Sequence, residues 1–258
     1  MIQRLSRPTV PAIILTIILG GVAGCGLLDR EEPLRPGDLS LKLSPHVEMR
    51  LLLIKPMNLL VGKYEVTNQQ YRKFKPDHDS GTHNDLSLNQ DDQPAVNVRW
   101  DEAVRFCEWL TANHGEQNGK KYRFRLPTEK EWMTFAASGH DTEYPWGDEW
   151  PPPKKWNYYG IENPELARKI DHDDKFRVSA PVRKSGVNAW GLYGVGGNVW
   201  EWCADQDGKS RVIKGASWAD SAPLFLSLSR RNTYEPNYSY INLGFRVVAE
   251  PAGADGKN

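Results

Sequence analysis

The sequence predicts an α+β domain with little regular secondary structure, and three observations point there. Its 258 residues include 10 Trp, 22 Gly and 18 Pro, so aromatic anchors alternate with turn formers. No 3.6-residue apolar stripe is sustained along the chain, which argues against a helical bundle. Short strand-like runs instead flank a few amphipathic helices. This length is ample for a real core. Lysine plus arginine and aspartate plus glutamate number 33 each. That neutrality, with no basic stripe, leaves no electrostatic footprint for nucleic acid.

Residues 1–24 read as a targeting segment, outside the fold. Arg4 and Arg7 supply a positive start, and residues 13–20 are an apolar run too short to read as a membrane span. Val22-Ala23-Gly24-Cys25 resembles the lipobox of bacterial lipoproteins, in which the cysteine becomes lipidated. A plain secretory signal or an anchor helix is the alternative. Lipidation at Cys25 implies attachment to a membrane in the cell envelope, facing the periplasm. Gly26 after the cysteine favours the outer over the inner membrane by resemblance to Gram-negative sorting.

Residues 25–45 are polar and proline-bearing and read as a flexible tether. One domain is expected over 46–250, with a frayed tail over 251–258. Within it, 47–54 and 59–66 read as strands, and Thr67 is placed to cap a helix through Tyr71 to Phe74. Residues 76–93 form a polar excursion. An amphipathic helix is predicted over 100–113, because Ala103, Phe106, Cys107 and Leu110 fall at i, i+3, i+4 and i+7. Asp101 sits at its positive end. Thr128 and Glu131 have capping-box spacing and open a second helix reaching Ala137. From Gly139 to Val182 the sequence is turn-like, a length at which loops are functional or held by something other than a ladder. Strands return over 211–215 and 244–249. Cys107 and Cys203 are open to two readings, a disulfide permitted by export or two buried free thiols.

Seven motifs then occur in order. They are residues 62–68 (GKYEVTN), 94–98 (PAVNV), 125–132 (RLPTEKEW), 144–147 (YPWG), 191–202 (GLYGVGGNVWEW), 214–218 (KGASW) and 243–246 (LGFR). Together they resemble the family that contains the formylglycine-generating enzyme, the sulfatase-modifying factors. The resemblance covers roughly 47–249. It implies a variant of the C-type lectin fold, in which Trp132, Trp146, Trp200, Trp202 and Trp218 bury large surfaces. It also implies that Arg125, Glu129, Glu131 and Arg246 are partly buried charges in need of partners.

Calcium is implied by the same resemblance, since family members often pin long loops with this hard, oxygen-preferring ion. One set would use the side chains of Asn157 and Asp174 with the carbonyls of Tyr158 and Phe176. A second would use Gly194, Gly197, Val199 and Glu201, with Gly194 standing where the family has asparagine. The enzyme signature fails, however. In the family's enzyme a Ser-Trp or Ser-Tyr strand leads to two cysteines that bind copper. Here Ser217-Trp218 is followed by Asp220 and Phe225 at those positions, and phenylalanine ligates nothing. A histidine-iron branch of the family finds no matching motif among the six histidines. His78 and His83 share a loop with Asp77, Asp79 and Asp85, a loose cluster that could hold a metal or lie solvated.

A non-catalytic binding or regulatory module therefore leads, with an envelope protein as partner. The resemblance extends to periplasmic regulators of type VI secretion that act through protein contacts. The groove below 217–225 and the cluster Tyr234, Tyr238 and Tyr240 are candidate contact surfaces. The rival is a periplasmic oxidase or protein-modifying enzyme using a non-cysteine site, with Glu201, Ser217, Trp218, Asp220 or Arg231 in its pocket. In that reading Glu201 and Asp220 would converge as a carboxylate pair.

Overall fold

The computed structural model describes residues 32–160 and 172–252. The targeting segment, Cys25 and residues 253–258 lie outside the described residues. The chain divides into Met1–Pro33 and Leu34–Asn258, and every described element belongs to the second unit.

Strands β1 (Leu39–Ser44), β2 (Val47–Ile54) and β3 (Leu59–Gly62) form an antiparallel meander. Leu39 and Leu41 point inward with Met49 and Leu51 of the facing strand, the period-two burial of a one-sided sheet. The expected tether therefore ends before Leu39, a correction to 25–45. The Leu39, Leu41, Leu43 alternation had announced it. Strand β12 (Val248–Pro251) pairs with β3 on one side and with β7 (Lys120–Arg125) on the other, and β6 (Glu116–Gln117) closes the six-stranded sheet. Pro251, assigned to the tail, thus sits in register with Tyr122.

The helices follow their caps. Helix α1 (Asn68–Tyr71) is one turn with a reciprocal Thr67–Gln70 capping box. It stops at Tyr71, short of Phe74, as the chain turns toward Pro76. Helix α2 (Trp100–His114) buries Ala103, Phe106, Cys107 and Leu110. Helix α3 (Glu129–Ala136) opens on the predicted Thr128–Glu131 box. Glu131 also takes a two-pronged ion pair from Arg125 at 2.7 and 2.7 Å, and Arg125 reaches Glu250 at 2.9 Å. These charges find the partners their partial burial requires.

A second sheet holds β8 (Trp200–Asp207), β9 (Ser210–Lys214), β10 (Asn232–Tyr234) and β11 (Leu243–Gly244), in the order β10-β9-β8-β11. The single strand expected over 244–249 is two strands in different sheets. Residues 245–247 step between them, and Phe245 and Arg246 are fully buried at the junction. A small hairpin, β4 (Thr82–His83) with β5 (Leu86–Ser87), the short helical turn α4 (Pro223–Leu226) and a 3-10 turn at Lys55–Met57 complete the described elements.

Between α3 and β8 no helix or strand occurs among the described residues. Aromatic rings hold that stretch: Tyr144 stacks on Trp146 at 4.8 Å and 2°, and Trp146 meets Trp156 at 5.4 Å and Tyr158 at 5.5 Å. Of the five tryptophans expected to be buried, Trp132, Trp200, Trp202 and Trp218 are, and Trp146 is half-buried. Cys107 and Cys203 are free thiols, both buried, and burial pushes each thiol well above its ordinary range.

Candidate functional site

The sheet junction builds a charged centre inside the domain. Antiparallel pairing sets Glu201 of β8 opposite Lys214 of β9. Arg246, on the link between sheets, donates to both Glu201 oxygens at 2.6–3.0 Å, and Trp132 Nε1 adds a bond to Oε2 at 2.8 Å. The remaining guanidinium donors meet the carbonyls of Gly62 and Tyr193 at 3.1 and 2.8 Å. Both members of the pair are completely buried. Glu201 raises the Arg246 pKa against burial.

Glu65 is a second carboxylate there, singled out by no reading of the sequence beyond its place in the GKYEVTN motif. It is 1% exposed. Its Oε1 accepts from Asn198 Nδ2 at 2.8 Å, and its Oε2 has no partner. Burial pushes the carboxyl up to about 7; the Arg246 charge opposes this and the Glu201 charge adds to it. Asn198 continues the network, accepting from Asn157 Nδ2 at 3.1 Å and from the Ala180 amide at 2.8 Å.

Glu65 makes a pH dependence that can be measured. Its folded pKa lies above the ordinary 4.5, so the fold holds this proton more tightly than the unfolded chain. Below pH 4.5 both states carry it and nothing is lost. Between 4.5 and about 7 only the unfolded chain releases it, so this group's stabilisation falls as pH rises, by at most about 1.4 kcal/mol per pH unit. Glu65→Gln removes the slope, and urea denaturation should show the variant gaining on the natural protein across that window. Parallel curves would mean that Glu65 is ionised throughout.

Of the first cation set, Asp174 meets Tyr158 and Phe176 through their backbone amides, not through the carbonyls expected to bind the ion. Asp174, 2% exposed at its side chain, accepts from the Tyr158 amide at 3.0 Å and the Phe176 amide at 2.7 Å. Asn157 Oδ1 is buried without a partner, an orphaned acceptor of the kind a bound cation satisfies. His172, also buried, approaches Asp174 at 3.6 Å while its ring nitrogens face the carbonyls of Trp156 and Pro152. Burial lowers its pKa, but Asp174 and those carbonyls outweigh it and the net shift is upward. The orphaned Asn157 oxygen and the buried Asp174 carboxylate are donors of the kind an oxygen-preferring ion takes, with the His172 ring competing for Asp174.

The second set does not fit. Glu201 is committed to Arg246 and Trp132, and the space beside Gly194 is filled by Glu65. A Cβ at Gly194 would lie 2.1 Å from Glu65 Oε1. Gly197 is closed in against the Asn157 carbonyl and the Tyr158 ring, and Val199 is fully buried in a small apolar cluster. The expected metal role of Glu201 is thereby corrected: its charge is neutralised inside the fold.

Nor do Glu201 and Asp220 converge. Neighbouring residues on a strand point to opposite faces, and Trp200 Nε1 bonds Asp220 Oδ2 at 2.9 Å, so Glu201 faces away from Asp220. The same Asp220 oxygen accepts from the Ser217 amide at 2.9 Å and its hydroxyl at 2.7 Å. Burial raises the Asp220 pKa and these bonds oppose the rise. Ser217 is fully buried, its hydroxyl also accepting from Asn242 at 2.8 Å, and Trp218 is buried under the His83 ring at 5.0 Å. Phe225 is partly exposed beneath the Arg230 guanidinium. Arg231 lies elsewhere, pairing with Glu129 at 2.9 Å and Asp207 at 2.6 Å. That corrects its placement in a pocket with Asp220.

Among the described residues no three His, Cys, Asp or Glu side chains gather to hold a metal. His78 instead is buried against Tyr71 at 4.6 Å and near Ser80 Oγ at 3.1 Å, and burial pushes its pKa down to about 4. The three tyrosines do form one unit. Tyr234 stacks on Tyr238 at 4.2 Å and 15°, and Tyr238 on Tyr240 at 6.0 Å and 21°, with Tyr234 36% and Tyr240 50% exposed.

A family model described as the sulfatase-modifying factor enzyme 1-like domain matches residues 18–251. The formylglycine-generating enzyme of Bos taurus is 33% identical over 183 residues, covering 63% of this chain and 46% of the relative. The inactive C-alpha-formylglycine-generating enzyme 2 of the same species is 36% identical over 166 residues, 60% of this chain and 50% of the relative. The chain thus spans about half the length of these two relatives. Chaperone protein LppX of Paenibacillus barcinonensis is 24% identical over 238 residues, 73% of this chain and 79% of the relative. Among solved structures, Treponema denticola variable protein 1 superposes with a TM-score of 0.64 at 22% identity, covering 83% of this chain and 99% of that one. PvdO from Pseudomonas aeruginosa gives 0.60 at 21%, covering 82% and 98%. At those identities the likeness establishes the fold alone.

Proposed function

The chain belongs to the sulfatase-modifying factor family, and from that premise we propose that it is a non-catalytic, lipid-anchored binding module of the cell envelope. One observation carries this reading. Where the family's enzyme has its two thiol ligands, this chain has Asp220, bonded to Ser217 and Trp200, and Phe225, an exposed ring against Arg230. That donor set cannot hold copper as a thiolate pair does. A relative named as inactive and another named as a chaperone make a non-catalytic role in the family reasonable.

The stacked tyrosines are the contact surface in this reading. Rigid aromatic area binds at low entropy cost, and the stack is fixed before any partner arrives. The finer role, regulation of type VI secretion through an envelope protein, belongs to the same proposal. A calcium ion at Asn157 and Asp174 would pin the long irregular stretch. The rival oxidase or modifying enzyme loses its carboxylate pair, because Glu201 and Asp220 lie on opposite faces of β8.

The test is direct. The purified protein, supplied with copper and oxygen, is incubated with a cysteine-bearing sulfatase peptide, and aldehyde formation is followed by mass spectrometry. No aldehyde is expected. Turnover would overturn the non-catalytic reading.

A further inference from the structure

Two clefts adjoin where the folded domain begins. One, of about 480 Å³, lies between Arg35, the 3-10 turn Lys55–Met57 and Trp190. The other, of about 380 Å³, shares Leu53 with the first and reaches Lys120, Lys121 and Tyr122. Neither lining contains an aspartate or glutamate, although the chain as a whole is neutral. Lys55, Lys120 and Lys121 are exposed and make no ion pair among the described residues. Of the acids nearby, Glu116 lies across the ladder from Lys121, and Asp38 is turned inward: its side chain is 3% exposed and accepts from the Leu53 amide at 2.8 Å and from Arg35 at 3.2 Å.

The apolar part of this face is placed for an interface. Trp190 is half-buried and its ring lies over Gly139, where a Cβ would come within 2.9 Å. Leu34 is 43% exposed, and Pro36 and Pro56 are exposed beside it. An indole among prolines, with Lys55 in its own cleft and Lys120 and Lys121 in the adjoining one, matches the level of lipid headgroups, apolar on one side and charged on the other.

We propose that this face docks on an anionic lipid bilayer. The inference rests on the lipidation of Cys25 proposed above, and the length of chain then argues for the surface. Leu34 lies nine positions beyond Cys25, a distance that at full extension spans about 30 Å at most. The chain enters the domain beside Arg35, which lines the first cleft, so a lipid at Cys25 would keep this face within reach of the membrane. Unpaired lysines there are drawn to acidic headgroups, an attraction that falls off within a Debye length of about 8–10 Å.

The experiment uses the full-length gene product, processed and purified from membranes, in vesicles of phosphatidylcholine with and without phosphatidylglycerol and with acyl chains brominated near the headgroup. Mass spectrometry first reads the modification of Cys25. The emission of Trp190 is taken as the difference between the natural protein and Trp190→Phe. Loss of most of that emission on anionic vesicles, restored by Lys55→Glu with Lys121→Glu or by about 1 M salt, is the expected result. A lipidated protein whose Trp190 emission is unaffected, or equally affected on neutral vesicles, overturns this docking and leaves the anchor standing. An unmodified Cys25 overturns the anchor and the docking together. Shielding of Lys55 from amine labelling by an envelope protein, without vesicles, would assign the face to that protein instead.

Discussion

Replacing Arg246 with methionine is expected to destabilise the domain by about 3–5 kcal/mol, the cost of leaving a buried charge without its partner. Glu201 would keep only the indole of Trp132, and Glu65 would lose the positive charge that opposes its burial. The carbonyls of Gly62 and Tyr193 would lose donors as well. Methionine fills much of the space, so the loss reports charge more than volume. For a domain of this size the melting temperature should fall by roughly 10 °C. The pairing itself is tested by adding Glu201→Gln to Arg246→Met. Removing both charges leaves less to desolvate, so the double variant should be more stable than Arg246→Met alone. Equal denaturation midpoints would show that the ion pair is not what holds the junction.

Gly194→Asn carries the next largest effect, because it restores the residue that the family pattern has at that position. Asparagine tolerates the left-handed backbone that Gly194 adopts at φ +62°, so the cost is steric. Its Cβ would meet Glu65 Oε1 at 2.1 Å and Cδ at 2.4 Å, which forces the carboxylate off Asn198. Overpacking of this kind costs about 1–3 kcal/mol, and the displaced hydrogen bond adds about 1 kcal/mol. Glu65→Ala combined with Gly194→Asn should cost less than the sum of the two single changes, since the cavity of one receives the side chain of the other. Additive losses in urea denaturation would argue that Glu65 does not occupy the asparagine's space.

Much of the fold was legible, and the reasons are local. Helix α2 showed in the spacing of Ala103, Phe106, Cys107 and Leu110, and α3 in the Thr128–Glu131 cap. The irregular stretch from Gly139 was visible as turn chemistry. Strands β7 and β8 were missed because Lys120–Arg125 alternates weakly and Trp200–Asp207 starts with four buried residues, which gives no period to read. The candidate site was legible as residue types. Asp174 does meet Tyr158 and Phe176, though through their amides, and Asp220 and Phe225 are read from the sequence alone as standing at the thiol positions. Glu201 was misread as a ligand because its motif names the residue but not the face it points to.

By itself, the sequence determined the family, the α+β class, the caps and the absence of the two thiols, since each depends on residue identity or on neighbours within one or two turns. Only the tertiary structure decided which charges neutralise each other. Glu65, Glu201 and Arg246 are separated by as many as 181 residues and meet where the chain steps between sheets. The structure also decided that Ser217 is buried, that Arg231 is drawn to Glu129, and that the lysines of two distant segments share one face with Trp190. Pairing across a sheet and burial of charge depend on what lies opposite in space, and no local pattern records that.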